Sequence, residues 1–279
     1  MFVITKKEIV AIVVLYNPDN QVYKNISSYK GIVNRVILVD NSPKNNKKLF
    51  QKLSYVKYIP LLDNLGIAYA LNRGIKESHE KYILTMDQDS SISAELLIEY
   101  LKFLNREKDN TIGAITCQYN TDRRPQKPTL GWKKVKLSMQ SGTLFKRSTF
   151  QKIGYFNEDL FLDVVDYEYF LRMNKAGLQL IRLNSAVLNH QPATTKILKI
   201  GPIKLKYGVA SPTRYYYQAR NLFWTARKYE DVTLYINLLV KWLKIVLLFD
   251  NKEKYLQCFS KGIRDAKNKK LGKYNEYRK

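Results

Sequence analysis

Four times between residues 9 and 89 the chain runs through a short apolar stretch of strand type and halts on acidic or amide side chains. Ile9 to Tyr16 halts at Asn17-Pro18-Asp19, Val36 to Val39 at Asp40-Asn41-Ser42-Pro43, Val56 to Leu62 at Asp63-Asn64, and Tyr82 to Met86 at Asp87-Gln88-Asp89. Segments of helical type, at about 21–31, 66–78 and 93–106, separate them. Near-continuous apolar strands alternating with helices belong to parallel sheets covered on both faces. The pattern predicts an α/β fold with a doubly wound, mainly parallel sheet. In such a sheet ligands sit outside the carboxyl ends of the strands, where these polar residues gather.

The glycines exclude two versions of that architecture. No Gly-x-Gly-x-x-Gly follows the first strand and no Walker sequence occurs, which argues against a nicotinamide enzyme or a phosphate-loop ATPase. Asn64-Leu65-Gly66 opens a helix carrying Ala68, Ala70, Asn72 and Gly74, whose small side chains suit close approach to a sheet or to a ligand. Either reading is open from sequence.

Asp87 and Asp89 are the chemically loaded end of the fourth strand. In extended chain both side chains point to one side, so two carboxylates face each other unless a cation lies between them. Hard oxygen ligands suit Mg²⁺ or Mn²⁺ bound to a diphosphate. The alternative is an acidic turn capping the helix that begins near Ser93. Further on, Ile112 to Cys117 reads as a strand, residues 122–128 as a basic loop, and Gln140-Ser141-Gly142-Thr143 as a glycine break in strand-like sequence. Asp163 and Asp166 fall at or just before the first turn of a helix that ends at Ala176-Gly177. A carboxylate there is a competent general base or a plain cap. His190, one of two histidines, follows the strand-like Leu178 to Leu188 and is open as a metal ligand.

Charge narrows the partners. Forty-eight Lys and Arg against 24 Asp and Glu give a net charge of +24 over 279 residues, which favours an anionic partner. Residues 196–279 alone hold 20 basic and 6 acidic side chains. A nucleic-acid-binding or non-catalytic nucleotide-sugar-binding protein is the alternative reading, with nucleic acid disfavoured because acids at strand ends repel phosphate. Cys117 and Cys258 form no zinc or disulfide pattern, which fits a reducing cytosol. The N-terminal apolar run lacks the length and cleavage site of a signal peptide, and no stretch reaches the length of a membrane span. Leu234 to Phe249 is apolar nearly all round, with Asn237, Lys241 and Lys244 as a narrow polar stripe. It reads either as an interfacial helix on anionic lipid or as a helix buried against the catalytic domain or a second subunit.

Taken together, these motifs resemble the family 2 glycosyltransferases of the GT-A fold, and among them the bacterial rhamnosyltransferase branch. The resemblance spans about residues 8–225. It rests on Val14-Leu15-Tyr16-Asn17-Pro18, Val39-Asp40-Asn41-Ser42, Asn64-Leu65-Gly66-Ile67-Ala68, Asp87-Gln88-Asp89-Ser90, Gln140-Ser141-Gly142, residues 161–168 and Tyr215 to Asn221, in that order.

The resemblance implies an inverting transferase using a dTDP- or UDP-sugar, with dTDP-β-L-rhamnose the expected donor. The acceptor it implies is a glycan or a polyprenyl-diphosphate-linked chain. By resemblance Leu15, Tyr16, Asn17, Asp40, Asn64, Gly66, Asp87 and Gln88 line the nucleotide, and Asp89 with His190 holds Mn²⁺ or Mg²⁺. Asp166 is the base, with Asp163 the competitor because Val165 stands where the family's acidic pair begins. Gln140, Ser141, Gly142, Glu168 and Arg220 would meet the acceptor. The implied organisation is a Rossmann-like nucleotide-binding half at 1–119, an acceptor half at 120–200, and a basic helical appendage at 201–279 that associates with a membrane or a subunit, a homodimer included. The implied location is cytoplasmic, peripheral at the inner face of the bacterial cell membrane.

Overall fold

The computed structural model describes residues 4–190, 194–201 and 203–274. Two compact units emerge, one of Met1–Phe156 with Tyr169–Gln191, the other of Asn157–Glu168 with Pro192–Lys279.

The first unit is built on β1 (Ile9–Leu15), α1 (Asn20–Ser27), β2 (Arg35–Asp40), α2 (Lys47–Phe50), β3 (Val56–Pro60), α3 (Ile67–Lys76), β4 (Tyr82–Asp87) and α4 (Ala94–Arg106). It continues through β5 (Ile112–Asn120), β6 (Trp132–Val135), β7 (Thr143–Lys146), α5 (Arg147–Ile153), α6 (Val165–Lys175) and β8 (Gln179–Asn189), where α6 starts within the second unit's 157–168 stretch. The sheet order is β3-β2-β1-β4-β7-β5-β8-β6. Pairings are parallel among β3, β2, β1 and β4 and again between β5 and β8. Only β7 and β6 run the other way. Because β7 is antiparallel to both β4 and β5, those two strands point the same way. The carboxyl ends of β1 to β5 and β8 therefore share one rim, while β7 starts there. The mainly parallel, helix-flanked sheet is the GT-A arrangement expected from the sequence.

Every residue of β1 is buried, as its unbroken apolar sequence requires of a strand covered on both faces. The small residues of α3 are explained by the sheet. A Cβ on Gly74 would lie 2.5 Å from Ile12 Cγ2 and 3.1 Å from Val39 Cγ2, so only glycine lets this helix lie against β1 and β2. Polar caps fix the helix starts: Asp19 accepts the Gln21 and Val22 amides at α1, and Ser93 accepts the Leu96 amide at α4. Since Ser93 caps α4, the acidic turn of residues 87–89 is not that helix's cap.

Boundaries depart from expectation in several places, as where β5 runs on to Asn120 rather than stopping at Cys117. Strand β3 stops at Pro60 rather than Leu62, where Leu62 takes a left-handed φ of 60°. Helix α1 ends at Ser27 rather than near 31, before a turn at Gly31 with φ 73°. Strand β7 starts at the glycine break expected in strand-like sequence, whereas β6 was not anticipated, since a four-residue strand gives too few alternations to show a period.

The second unit holds β9 (Thr195–Ile200) and β10 (Ile203–Gly208), an antiparallel hairpin, then α7 (Pro212–Tyr229), α8 (Val232–Leu248) and α9 (Lys252–Lys267). Ser211 caps α7 with Pro212 in its first turn, and Asp231 caps α8 through the Leu234 amide. Tyr215, Ala219, Ile245, Phe249 and Phe259 form its core. A Cβ on Gly262 would fall 2.5 Å from the Tyr216 carbonyl oxygen, so glycine is what lets α9 press against the backbone of α7.

Candidate active site

The rim of the first unit's sheet gathers the acids. Strand β4 delivers Asp87, whose backbone N–H donates to Ser141 Oγ at 3.0 Å and whose Oδ1 accepts from Gln140 Nε2 at 2.5 Å. Gln140 and Ser141 can do this because β7 begins on the same rim and runs back beside β4. Both are buried, and the Gln140 carbonyl accepts from Thr85 Oγ1 at 2.6 Å. Two residues on, the Asp89 side chain is 53% exposed. His190 arrives from the far side of β5: the β5–β8 pairing runs to Asn120 and Asn189, and the His190 amide then donates to the Asn120 carbonyl at 3.1 Å. His190 Nδ1 lies 3.2 Å from Ser90 Oγ and 4.0 Å from Asp89 Oδ1.

Candidate ligand atoms of Asp87, Asp89 and His190 all lie within 4.8 Å of one another. Burial lowers the imidazole's pKa, Asp89 opposes this and Arg123 adds to it, leaving it below the ordinary value of 6.5. The neutral imidazole is the form that binds metal. Two carboxylates and one neutral imidazole suit a hard divalent cation. Asp87, which the sequence placed with the nucleotide, thus joins Asp89 and His190.

The remaining rim residues are tied to one another. Gln88 pairs with the main chain just past β1, its Oε1 accepting the Tyr16 amide at 2.8 Å and its Nε2 donating to the Tyr16 carbonyl at 3.0 Å. Leu15 is buried beneath, Tyr16 is exposed, and Asn17, in a left-handed turn, donates its amide to Ser42 Oγ at 2.7 Å. Asn64 Oδ1 accepts from Asn41 Nδ2 at 3.0 Å and from the Gly66 amide at 3.1 Å. The Asp40 carboxylate is fully buried. It accepts from the Ser42 amide at 3.1 Å, from Asn46 Nδ2 at 2.8 Å, and from the hydroxyls of Ser42 and Tyr58. It organises the loop after β2 from within.

In the second unit, residues 160–164 lead into α6 through an unusual backbone. Phe161, Asp163 and Val164 all have φ between 60° and 65°. That region is costly for ordinary side chains and most of all for a β-branched one, so it persists only where surroundings enforce it. Helix α7 does so. Asn221 Nδ2 reaches the carbonyls of Leu160, Leu162 and Asp163 at 2.7–2.9 Å. Arg220 Nη2 donates to Leu160 at 3.0 Å and Arg220 Nη1 to Gly272 at 2.7 Å. Arg214 pairs with the Asp163 carboxylate. Asp166 follows in the first turn of α6, partly exposed, with Oδ1 accepting the Tyr167 amide at 2.9 Å. Glu168 is 1% exposed and accepts from Lys228 Nζ at 3.0 Å and Tyr229 OH at 2.7 Å. Arg220 is likewise 1% exposed, so Glu168 and Arg220 face the interior of their own unit.

Residues 10–162 match the family described as Glycosyl transferase family 2. The chain belongs to this family. A curated relative, the dTDP-rhamnosyl transferase RfbF of Shigella flexneri, is 31% identical over 242 residues, covering 79% of this chain and 80% of that protein. Among solved structures, S. aureus TarS 1-349 in complex with UDP-GlcNAc aligns with a TM-score of 0.60 at 12% identity, over 92% of this chain and 81% of that one. GalNAc-T7 with UDP, GalNAc and Mn²⁺ aligns at 0.58 and 12% identity, over 93% and 56%. At such identities the shared property is the GT-A fold.

The glycosyltransferase thus brings Asp87, Asp89 and His190 to one edge of its sheet, with Gln140 and Ser141 behind them. Sequence reasoning left out Ser90, Asn41, Asn46, Tyr58 and Arg214. Ser90 and Asn41 lie inside the Asp87-Gln88-Asp89-Ser90 and Val39-Asp40-Asn41-Ser42 motifs themselves. Tyr58 and Arg214 carried no local signal, because their partners lie 18 and 51 residues away.

Proposed function

We propose that this glycosyltransferase is inverting and metal-dependent and transfers L-rhamnose from dTDP-β-L-rhamnose to a glycan or polyprenyl-diphosphate-linked acceptor. In this reading it serves bacterial surface-polysaccharide synthesis at the inner face of the cell membrane. The Asp87, Asp89 and His190 cluster at the carboxyl rim of the sheet carries the metal-dependent part. The 31% identity to a protein named as a dTDP-rhamnosyl transferase, over four-fifths of both chains, supports the donor. Another dTDP- or UDP-sugar is the alternative donor.

Asp87, Asp89 and His190 would hold Mn²⁺ or Mg²⁺, which when bound offsets the charge of a departing nucleoside diphosphate. Leu15, Tyr16, Asn17, Asn64, Gly66 and Gln88 line the nucleotide in this reading, and Asp40 shapes their pocket from beneath. Asp166 accepts the proton of the acceptor hydroxyl, and the freed oxygen displaces the diphosphate from the opposite face of the sugar. Gln140 and Ser141 hold Asp87 in place. The division into a nucleotide half at 1–119, an acceptor half at 120–200 and a basic C-terminal region at 201–279 belongs to the same proposal.

Turnover of a panel of nucleotide sugars with lipid-linked acceptors, with and without chelator, tests it. The expected result is release of dTDP from dTDP-rhamnose that stops on chelation. Turnover of another sugar nucleotide alone overturns the donor, and full activity in chelator overturns the metal.

A further inference from the structure

Helix α8 carries apolar side chains on both its buried and its exposed side. Its polar stripe faces the protein: Lys241 Nζ donates to Gln218 Oε1 of α7 at 2.9 Å, and Lys244 Nζ lies 5.6 Å from the ring centres of Tyr215 and Phe249. Leu234 and Ile245 also pack inward, but a second set of apolar residues faces outward. Val232, Ile236, Leu239, Val240, Leu243 and Leu247 are 39–69% exposed and follow the 3.6-residue period, so they form one continuous stripe along the helix. An apolar stripe of this kind normally packs against a core. No acidic residue occurs within α8.

Charge says what covers the stripe. The stretch 196–279 carries 20 basic and 6 acidic side chains, so a second copy laid on this face would bring two strongly positive surfaces together. The β9–β10 hairpin, joined to the end of α8 by Tyr207 OH to the Leu248 carbonyl at 2.9 Å, repeats the message. Residues 195–208 hold Lys196, Lys199, Lys204 and Lys206 and no acid, and the register sets Lys199 opposite Lys204. Like charges paired across a two-stranded ribbon repel unless an anion meets them. Ile197 and Leu205 are also exposed there. Among the described residues no helix is long and apolar enough to cross a membrane, so such a surface lies on a bilayer rather than through it.

We propose that α8 is a membrane-docking helix that lays its outward apolar stripe into the interfacial region of a bilayer containing anionic lipid, with Lys199 and Lys204 of the hairpin meeting the headgroups, Lys196 being paired with Asp250. The inference goes beyond the transferase reading and does not depend on its donor or metal.

The full chain is pelleted with phosphatidylcholine vesicles with and without phosphatidylglycerol, at low salt and at about 0.5 M salt, where charge attraction is screened. The expected result is binding that needs phosphatidylglycerol, falls with salt, and drops at least about tenfold in Leu239→Glu/Leu243→Glu. Trp242 emission shifts to the blue on adding vesicles, and the shift is lost in Trp242→Phe. Equal vesicle binding by wild type and double variant overturns the proposal. So does absence of vesicle binding, including a soluble dimer by sedimentation velocity that the double variant dissociates. Nucleotide affinity and thermal unfolding, read on the same samples, confirm that the variant is folded. They also separate failure of this inference from failure of the transferase reading.

Discussion

Arg214 grips Asp163 at two points, with Nη2 2.8 Å from Oδ1 and Nε 3.2 Å from Oδ2. Two-point pairing of a guanidinium with a carboxylate fixes both position and orientation. Asp163 is thereby an anchor of the left-handed loop, which leaves Asp166 as the proposed base. Replacing Asp166 with Asn is expected to lower kcat by about 10²–10⁴-fold with nucleotide affinity unchanged. Asp163→Asn and Arg214→Ala should instead give similar, smaller losses that are not additive in the double variant. Steady-state kinetics and nucleotide titration on wild type and the four variants check this.

Gln140 supports the metal cluster without joining it. Loss of a hydrogen bond that orients a ligand typically weakens metal binding about 10–100-fold. Gln140→Ala is therefore expected to weaken Mn²⁺ binding by that factor, and Asp89→Asn by more. Calorimetric titration of Mn²⁺ into the three proteins is the measurement.

Glu80 ties the start of β4 to β2. Burial alone would raise its pKa, but hydrogen bonds from Arg35, from the main chain at residues 79 and 80 and from Asn34 outweigh that and hold it at about 2, against an ordinary 4.5. A depressed pKa favours the folded state while the carboxylate is ionised. This contribution is complete above about pH 5 and is lost as pH falls from there toward 2. With Arg35 30% exposed, screening reduces it to about 2 kcal/mol. Urea unfolding should show Glu80→Gln less stable than wild type at pH 7, with the gap closing toward pH 2–3.

Asn221 is buried and bridges three carbonyls of the 160–163 stretch. Asn221→Ala leaves those oxygens short of a donor and frees the strained loop, at a cost of about 1–3 kcal/mol. A lower urea midpoint together with a fall in kcat is expected; a change in stability alone would restrict Asn221 to a structural role.

The apolar runs ending at Leu15, Val39 and Met86, and the polar residues just past them, were enough to read the mainly parallel sheet and its ligand-bearing edge from the sequence. A helix start near Ser93 was legible because capping is a short-range property, whereas what Gly74 packs against was left open, its neighbours Ile12 and Val39 being distant in sequence. The insertion of β7 between β4 and β5 was not legible, because pairing across more than fifty residues leaves no local trace. That insertion is what sets Gln140 and Ser141 against Asp87, and β8 then brings His190 to Asp89 and Ser90 from 100 residues away.

The stretch 234–249 marks the same limit from another side. Its composition determined that α8 would have an apolar and a polar face. Only the tertiary structure decided that Lys241 would turn inward to Gln218 while Leu239 and Leu243 turned out. The period of a helix fixes which residues share a face, whereas the choice of neighbour depends on the competing packing of α7 and α9.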